Sequence, residues 1–230
     1  MFNPTPTELE ALSLSLKVAA WSVAITLPFG LFTAWILARK RFYGHALLNG
    51  IVYLPLVLPP VVIGFFLLAM FGRQGPAGAF LYDTLGITVA FTWQGAAIAA
   101  AIMAFPLMVR AIRLSFENVD SRLEAAARTL GASPLRVFYS ITLPLISPGI
   151  LAGIILAFAR SLGEFGATIT FVSNIPGETS TLPLAIFSLI QTPGGDAGAL
   201  RLVILSIALA LAALLLSEYL AYKAKLKVEG

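Results

Sequence analysis

The chain has 230 residues, of which 59% are hydrophobic and 11% charged, with a mean hydropathy of +0.92. A soluble domain carries about 25% charged residues, so one soluble core with an ordinary water-facing surface is excluded. The formal charge of +4 does not point to nucleic acid, because the basic residues sit beside apolar runs, and the absence of cysteine excludes disulfides, iron–sulfur clusters and thiol catalysis.

The N-terminal stretch MFNPTPTELEALSLSLK places acids ahead of the first apolar run and has no basic n-region, so no cleaved signal peptide is expected. Charge-free runs at 18–38, 46–72 and 84–109 each exceed the roughly 20 residues that cross a bilayer as a helix. The predicted architecture is all-α and polytopic, a single transmembrane domain over 1–230. About five spans are expected, at 12–38, 46–72, 86–112, 145–170 and 199–222. Pro28, Pro59, Pro60 and Pro106 interrupt several of them, and neighbouring helices can satisfy the freed carbonyls. Pro55, Pro59 and Pro60 mark either a gate hinge or a fixed kink. The apolar segment 179–191 is too short for a sixth span and reads as a re-entrant or surface helix.

Lys and Arg set the orientation. With the loop after the first span inside, eleven of the 15 basic residues are cytoplasmic: Arg39, Lys40, Arg41, Arg110, Arg113, Arg122, Arg128, Arg136, Lys223, Lys225 and Lys227. The N-terminus is then outside and the C-terminus cytoplasmic. His45, the sole histidine, reads as a solvated residue of the first basic loop.

The longest cytoplasmic segment, about 115–144, is patterned as two short helices. Phe116, Val119, Leu123, Ala126, Ala127 and Leu130 follow helical spacing, and Ser121 with Glu124 fits a capping box. Gly131 suits a left-handed helix end; Ser133 and Pro134 suit an N-cap and first helical position; Pro144 is expected to stop the second helix. On physical grounds this knob fits either docking to a partner or shallow contact with headgroups.

Ala126, Ala127, Gly131 and, after nine intervening residues, Ile141-Thr-Leu143-Pro144 resemble the EAA loop of ABC-importer permeases. LPLVLPPVVIGFFLL (54–68), FPLMVRAIRLSFENVD (105–120), ARSLGEFGATITFVSNIPGET (159–179) and QTPGG (191–195) resemble the molybdate branch of that family, a relative of the sulfate permeases. The resemblance implies a type I ABC-importer permease fold in a bacterial cytoplasmic membrane. It also implies alternating access for molybdate or tungstate, with sulfate or another anion as the alternative substrate. The implied partners are two cytoplasmic ATPase subunits, a periplasmic oxyanion-binding protein and a second permease copy. The implied ATPase-coupling residues are Glu124, Ala126, Ala127, Arg128, Gly131, Ala132, Ser133, Pro134, Ile141, Leu143 and Pro144. Glu124 lies one residue before the family's usual Glu position, which turns a helical side chain by about 100°, so a capping role is expected of it in place of the family contact.

No Gly-x-x-x-x-Gly-Lys-Ser/Thr loop occurs in the chain, so ATP and magnesium are expected on the partner subunit, with no cofactor or metal here. Arg160 and Glu164, four apart within the fourth predicted span, are opposite charges at membrane depth. With Ser161 and Thr168 they are candidates for the oxyanion pathway; the alternative is a neutralised pair that pins the span to its neighbour. Gly149, Gly153, Ala157 and Ser161 form a small-residue stripe for close packing or a homodimer seam. The segment 173–198, with Glu178 and Asp196, is either a solvated loop or a contact for the binding protein. One histidine and no paired acids at depth argue against an intramembrane protease. An ion-coupled transporter would call for buried acids or internal repeats, and the sequence displays one acid at depth, Glu164, already beside Arg160, and no repeat.

Overall fold

The computed structural model describes residues 5–229, and in the last helix the side chains to Leu215 and that of Tyr219. The basic Lys223, Lys225 and Lys227 therefore lie outside the described side chains. The first helix, α1 (Pro6–Arg39), starts on a capping box: the Glu8 N–H donates to Thr5 Oγ1 at 3.4 Å and the Thr5 N–H to Glu8 Oε2 at 2.9 Å. At 1.5 Å per residue its 34 residues reach about 51 Å, well beyond the ~30 Å hydrocarbon layer. Its inward stripe is small, with Ser15, Ala19, Ser22, Thr26, Gly30 and Ala34 all buried.

That stripe packs on α5 (Trp93–Asn118), the most enclosed helix of the bundle. The Ala-rich run at 95–101 supplies the close approach, with Ala96, Ala97, Ala99 and Ala100 sealed. α5 begins seven residues later than the predicted 86, because 86–92 is not helical. Packed on both α5 and α1 lies α8 (Leu143–Leu162), whose Gly149, Gly153 and Ala157 are buried. A Cβ on Gly153 would stand 3.1 Å from Ile112, so the stripe serves packing within the chain.

The second predicted span is two helices. α2 (His45–Val57) and α3 (Pro60–Phe71) meet at 110°, because Pro59 and Pro60 lack backbone N–H groups and push the preceding residue extended. α4 (Pro76–Leu85) follows α3. The fourth predicted span is also broken: α8 ends at Leu162 and α9 (Gly166–Val172) starts beyond a non-helical link at 163–165. The two broken spans interlock, for α3 packs on α9 and Gly64 lies against the backbone of Ala167.

The segment 179–191 contains α10 (Leu182–Ile190), nine residues that cannot span. It lodges between the far ends of α1 and α11 (Asp196–Glu229), burying Leu182 and Leu184, and its Leu182 N–H donates to Ser15 Oγ at 2.6 Å. Among the described residues, four helical stretches are long and apolar enough to cross a bilayer, and counting the bent α2–α3 pair as one span makes five. Large side chains such as Phe29, Phe32, Phe65 and Phe66 project from the exterior, as suits a surface solvated by lipid.

The interlock makes a prediction. Gly64→Val should drive a side chain into Ala167 and Thr170 and cost about 1–3 kcal/mol by overpacking. Gly50→Val, where nothing lies within 4 Å, should be tolerated. Thermal unfolding in detergent is the measurement, and equal midpoints for the two variants would contradict the packing.

Candidate functional site

At the end of the bundle that carries Arg39, α5 gives way to a helix–turn–helix. Phe116 and Val119 belong to the end of α5 and its cap, not to the following helix as their spacing suggested. The chain breaks at Asp120, and α6 (Ser121–Thr129) begins with Asp120 Oδ1 accepting from the Arg122 N–H at 2.9 Å. Asp120 is thus the N-cap and the expected Ser121–Glu124 box does not form. Gly131 ends the helix with φ +84°, a left-handed value that favours glycine, while the Ala132 N–H donates to the Ala127 carbonyl at 3.1 Å.

Ser133 then caps α7 (Pro134–Val137), accepting from the Arg136 N–H at 3.4 Å, with Pro134 at the first helical position. Pro144 does not stop this helix. A π turn at Phe138–Thr142 joins α7 to α8, giving one apolar helical stretch from Pro134 to Leu162. Pro144 follows directly on the π turn, and the stretch runs through it.

The knob presents Ala126, Arg128, Gly131, Ser133 and Pro134 outward, with Ala127 and Ala132 half-buried. Around them Leu130 is 88% exposed, Leu135 71% and Tyr139 64%, three large apolar groups that the chain itself leaves uncovered. Ile141 and Leu143 are half-buried at the root of α8 instead of on the knob.

Glu124 points inward. Its Oε1 receives the Thr142 hydroxyl at 2.8 Å and pairs with Arg39 Nη2 at 3.0 Å, so one carboxylate ties α6 to the end of α1 and to the π turn. The Glu124 side chain is 17% exposed and that of Arg39 23%. Sequence spacing could not reveal this contact, because Arg39 lies 85 positions away. Nearby, Arg113 Nη1 donates to Asn49 Oδ1 at 2.7 Å, joining α5 to α2. His45 is less solvated than expected, since its Nε2 lies 3.0 Å from the Leu37 carbonyl and helps close the α1–α2 turn.

Of the residues proposed for a pathway, Arg160 and Glu164 do meet, Nη1 to Oε2 at 2.7 Å. They meet across the end of α8 rather than along one helix face, and Glu164 Oε1 also receives the Ala167 N–H at 2.9 Å, capping α9. Glu164 is buried, while Arg160 remains 27% exposed. Ser161 is turned into the packing, 2.6 Å from Ser22 Oγ, and Thr168 is buried.

At the far end, Arg201 Nη2 pairs with Glu8 Oε1 at 2.7 Å, and Glu178 Oε1 receives the Trp93 N–H at 3.3 Å. Glu178 therefore helps hold the start of α5. The Thr5-Pro-Thr-Glu8 spacing could have revealed the first cap; nothing in the sequence ties Glu8 to Arg201.

Comparison with known proteins places this geometry. The family model described as binding-protein-dependent transport system inner membrane component matches residues 26–225. The chain is 64% identical over 217 residues to the molybdenum transport system permease protein ModB of Escherichia coli K12, covering 94% of this chain and 95% of that one. It is 58% identical over 221 residues to the protein of the same name from Haemophilus influenzae, covering 96% of each. Among solved structures, a bacterial ABC transporter involved in the import of the acidic polysaccharide alginate superposes with a TM-score of 0.74. It covers 95% of this chain and 80% of that one at 16% identity, a likeness of fold.

The Glu124 contact is testable in isolation. A double-mutant cycle with Arg39→Ala and Glu124→Ala should give a coupling of about 1 kcal/mol in unfolding free energy, the level for a partly solvated charged hydrogen bond. Additive effects of the two substitutions would show that the ion pair holds nothing.

Proposed function

Because the chain belongs to the family of binding-protein-dependent transport system inner membrane components, we propose that it is the membrane-spanning permease of an ATP-driven molybdate importer. The observation that carries this reading is the knob itself. Its exposed Leu130, Leu135 and Tyr139 form a surface for a partner, and it continues without a stop into α8. Force applied to the knob therefore has a direct helical route into the bundle. The identity to molybdenum permeases over nearly the whole chain supports molybdate, with tungstate as a companion of the same charge and shape.

In this reading the basic end is cytoplasmic, as the distribution of Arg39, Lys40, Arg41, Arg110, Arg113, Arg122 and Arg136 supports. The N-terminus lies outside, in a bacterial inner membrane. Two ATPase subunits, which hold the ATP and magnesium, receive the knobs of two permease copies, and a periplasmic oxyanion-binding protein delivers substrate at the far end. Ala126, Ala127, Arg128, Gly131, Ala132, Ser133 and Pro134 form the docking surface. Glu124 acts from behind that surface, while Ile141, Leu143 and Pro144 carry its motion into α8.

Arg160 is the pathway residue that the geometry favours. Its partner Glu164 is engaged in capping α9, and Ser161 and Thr168 are enclosed, so Arg160 alone of the four keeps a face toward open space. A cation there lowers the cost of bringing a dianion to membrane depth.

Reconstitution with the ATPase and binding protein should give ATP-dependent uptake of molybdate and tungstate. Uptake without an ATPase would refute the reading, and uptake of sulfate in place of molybdate would move it to the sulfate branch. In the same vesicles Arg160→Gln should lower uptake about tenfold, the effect of losing one charged hydrogen bond of 1.5 kcal/mol or so, with Arg160→Lys less affected. Unchanged uptake and ATPase coupling in a folded Arg160→Gln complex would remove Arg160 from the path.

A further inference from the structure

We propose that the groove between α1, α6 and α7 is a binding site for an anionic phospholipid of the adjoining leaflet. The groove encloses about 580 Å³, within the range of small-molecule sites. Its lining is divided by depth. Pro28, Phe32 and Trp35 of α1 form the apolar part, while Lys40 and Arg128 stand at the basic end together with the Arg39–Glu124 pair. From Pro28 to Lys40 the helix rises about 18 Å, close to the ~15 Å depth of one leaflet. An acyl chain therefore fits beside Pro28 and Phe32 when a headgroup is level with Lys40.

The charges select the headgroup. Glu124 is already shared by Arg39 and Thr142, and neither Lys40 nor Arg128 has a carboxylate partner among the described residues. Lys40 Nζ lies 5.2 Å from the centre of the Trp35 ring, a basic–aromatic pair of the kind that marks the membrane interface. Lys40 above an apolar slot, with Arg128 at the rim that the groove shares with the proposed docking surface, suits a phosphate diester with a net negative charge; a zwitterionic headgroup would bring its own cation against them.

Other occupants fit less well. A cytoplasmic protein cannot reach the depth of Pro28. A second copy of this chain would bring more basic residues to an end already rich in them, and like charges repel. A small free anion would leave the apolar half of the groove unfilled. Because one wall is the knob, the lipid would be gripped or released as the knob moves against α1.

Trp35 reports on the groove directly. The full chain carrying Trp21→Phe and Trp93→Phe retains Trp35 as its single tryptophan. In nanodiscs, brominated phosphatidylglycerol should quench it more strongly than brominated phosphatidylcholine at equal mole fraction. That preference should fall about fivefold in Lys40→Gln, the contribution of one basic residue near the surface. It should persist in Lys40→Arg and in Arg41→Gln, a neighbouring cation outside the groove. Should the tryptophan variants not fold, native mass spectrometry of the unaltered chain should retain phosphatidylglycerol over phosphatidylcholine, with the preference lost in Lys40→Gln. Equal quenching by the two lipids overturns the proposal. So does an equal fall in Arg41→Gln, which would reveal diffuse surface attraction, or loss of the preference in inorganic phosphate, which would reveal a small-anion site. Absence of quenching by either lipid, with Phe32→Cys forming a disulfide between copies, would assign the groove to a second permease.

Discussion

Close approach along α5 is the constraint on which the rest of the molecule depends. Lipid tails are as apolar as leucine, so helices in a bilayer gain little by hiding hydrophobic side chains from their surroundings. What holds them is contact at short range, and contact requires small residues. α5 offers Ala96, Ala97, Ala99 and Ala100 near one end, and Gly30 of α1 meets Met108 of α5 nearer the other. α8 brings Gly149 and Gly153 to α5 as well, Gly153 meeting the same Met108, and it also packs on α1. The three helices form a stiff column, and the bent, broken and short elements are arranged around it.

That stiffness permits the breaks. Interrupting a helix inside a membrane strands backbone N–H and C=O groups, and each must find a partner within the protein. The start of α9 takes its partner from Glu164, and the start of α5 from Glu178. The 110° bend at Pro59-Pro60 needs fewer partners, because proline has no N–H to strand. Gly64 then lets α3 lie against the backbone of Ala167, so the two interrupted spans support each other. Glu164 and Glu178 thus serve as partners for helix starts, whereas Arg160 pairs with Glu164 and caps nothing.

The difference between what the sequence made legible and what it hid follows the range of the interactions. Span number, the helix end at Gly131 and the cap at Ser133 depend on neighbours within a few positions, and all could be read from the sequence. The break after Leu162 was hidden because the residues on either side are apolar and Glu164, four residues after Arg160, passes as half of an ion pair within a span. The cap at Asp120 was hidden by an equally good candidate one residue on, Ser121, and the choice turned on where α5 ends. Pro144 misled because the π turn at Phe138–Thr142 comes immediately before it, so the helical stretch runs through the proline, as α1 and α5 run through Pro28 and Pro106. Glu8–Arg201, Glu124–Arg39 and Arg113–Asn49 join positions that no local pattern relates.

Glu124 shows how a small departure in sequence becomes a different job. A shift of one residue along a helix turns a side chain by about 100°, enough to move it from the outer face of the knob to its inner face. There the carboxylate meets Arg39 and Thr142, the one at the end of α1 and the other in the π turn below α8. A π turn is a weak point in a helix, with one residue more per turn than the α form. A hydrogen bond from inside that turn to a charge on the knob gives the weak point a second attachment. The outer face is left to the neutral Ala126 and to Leu130 and Leu135, so a partner can bury it without desolvating a carboxylate. Attachment to the bundle thus takes one side of the short helical pair and leaves the other side to the partner proposed above.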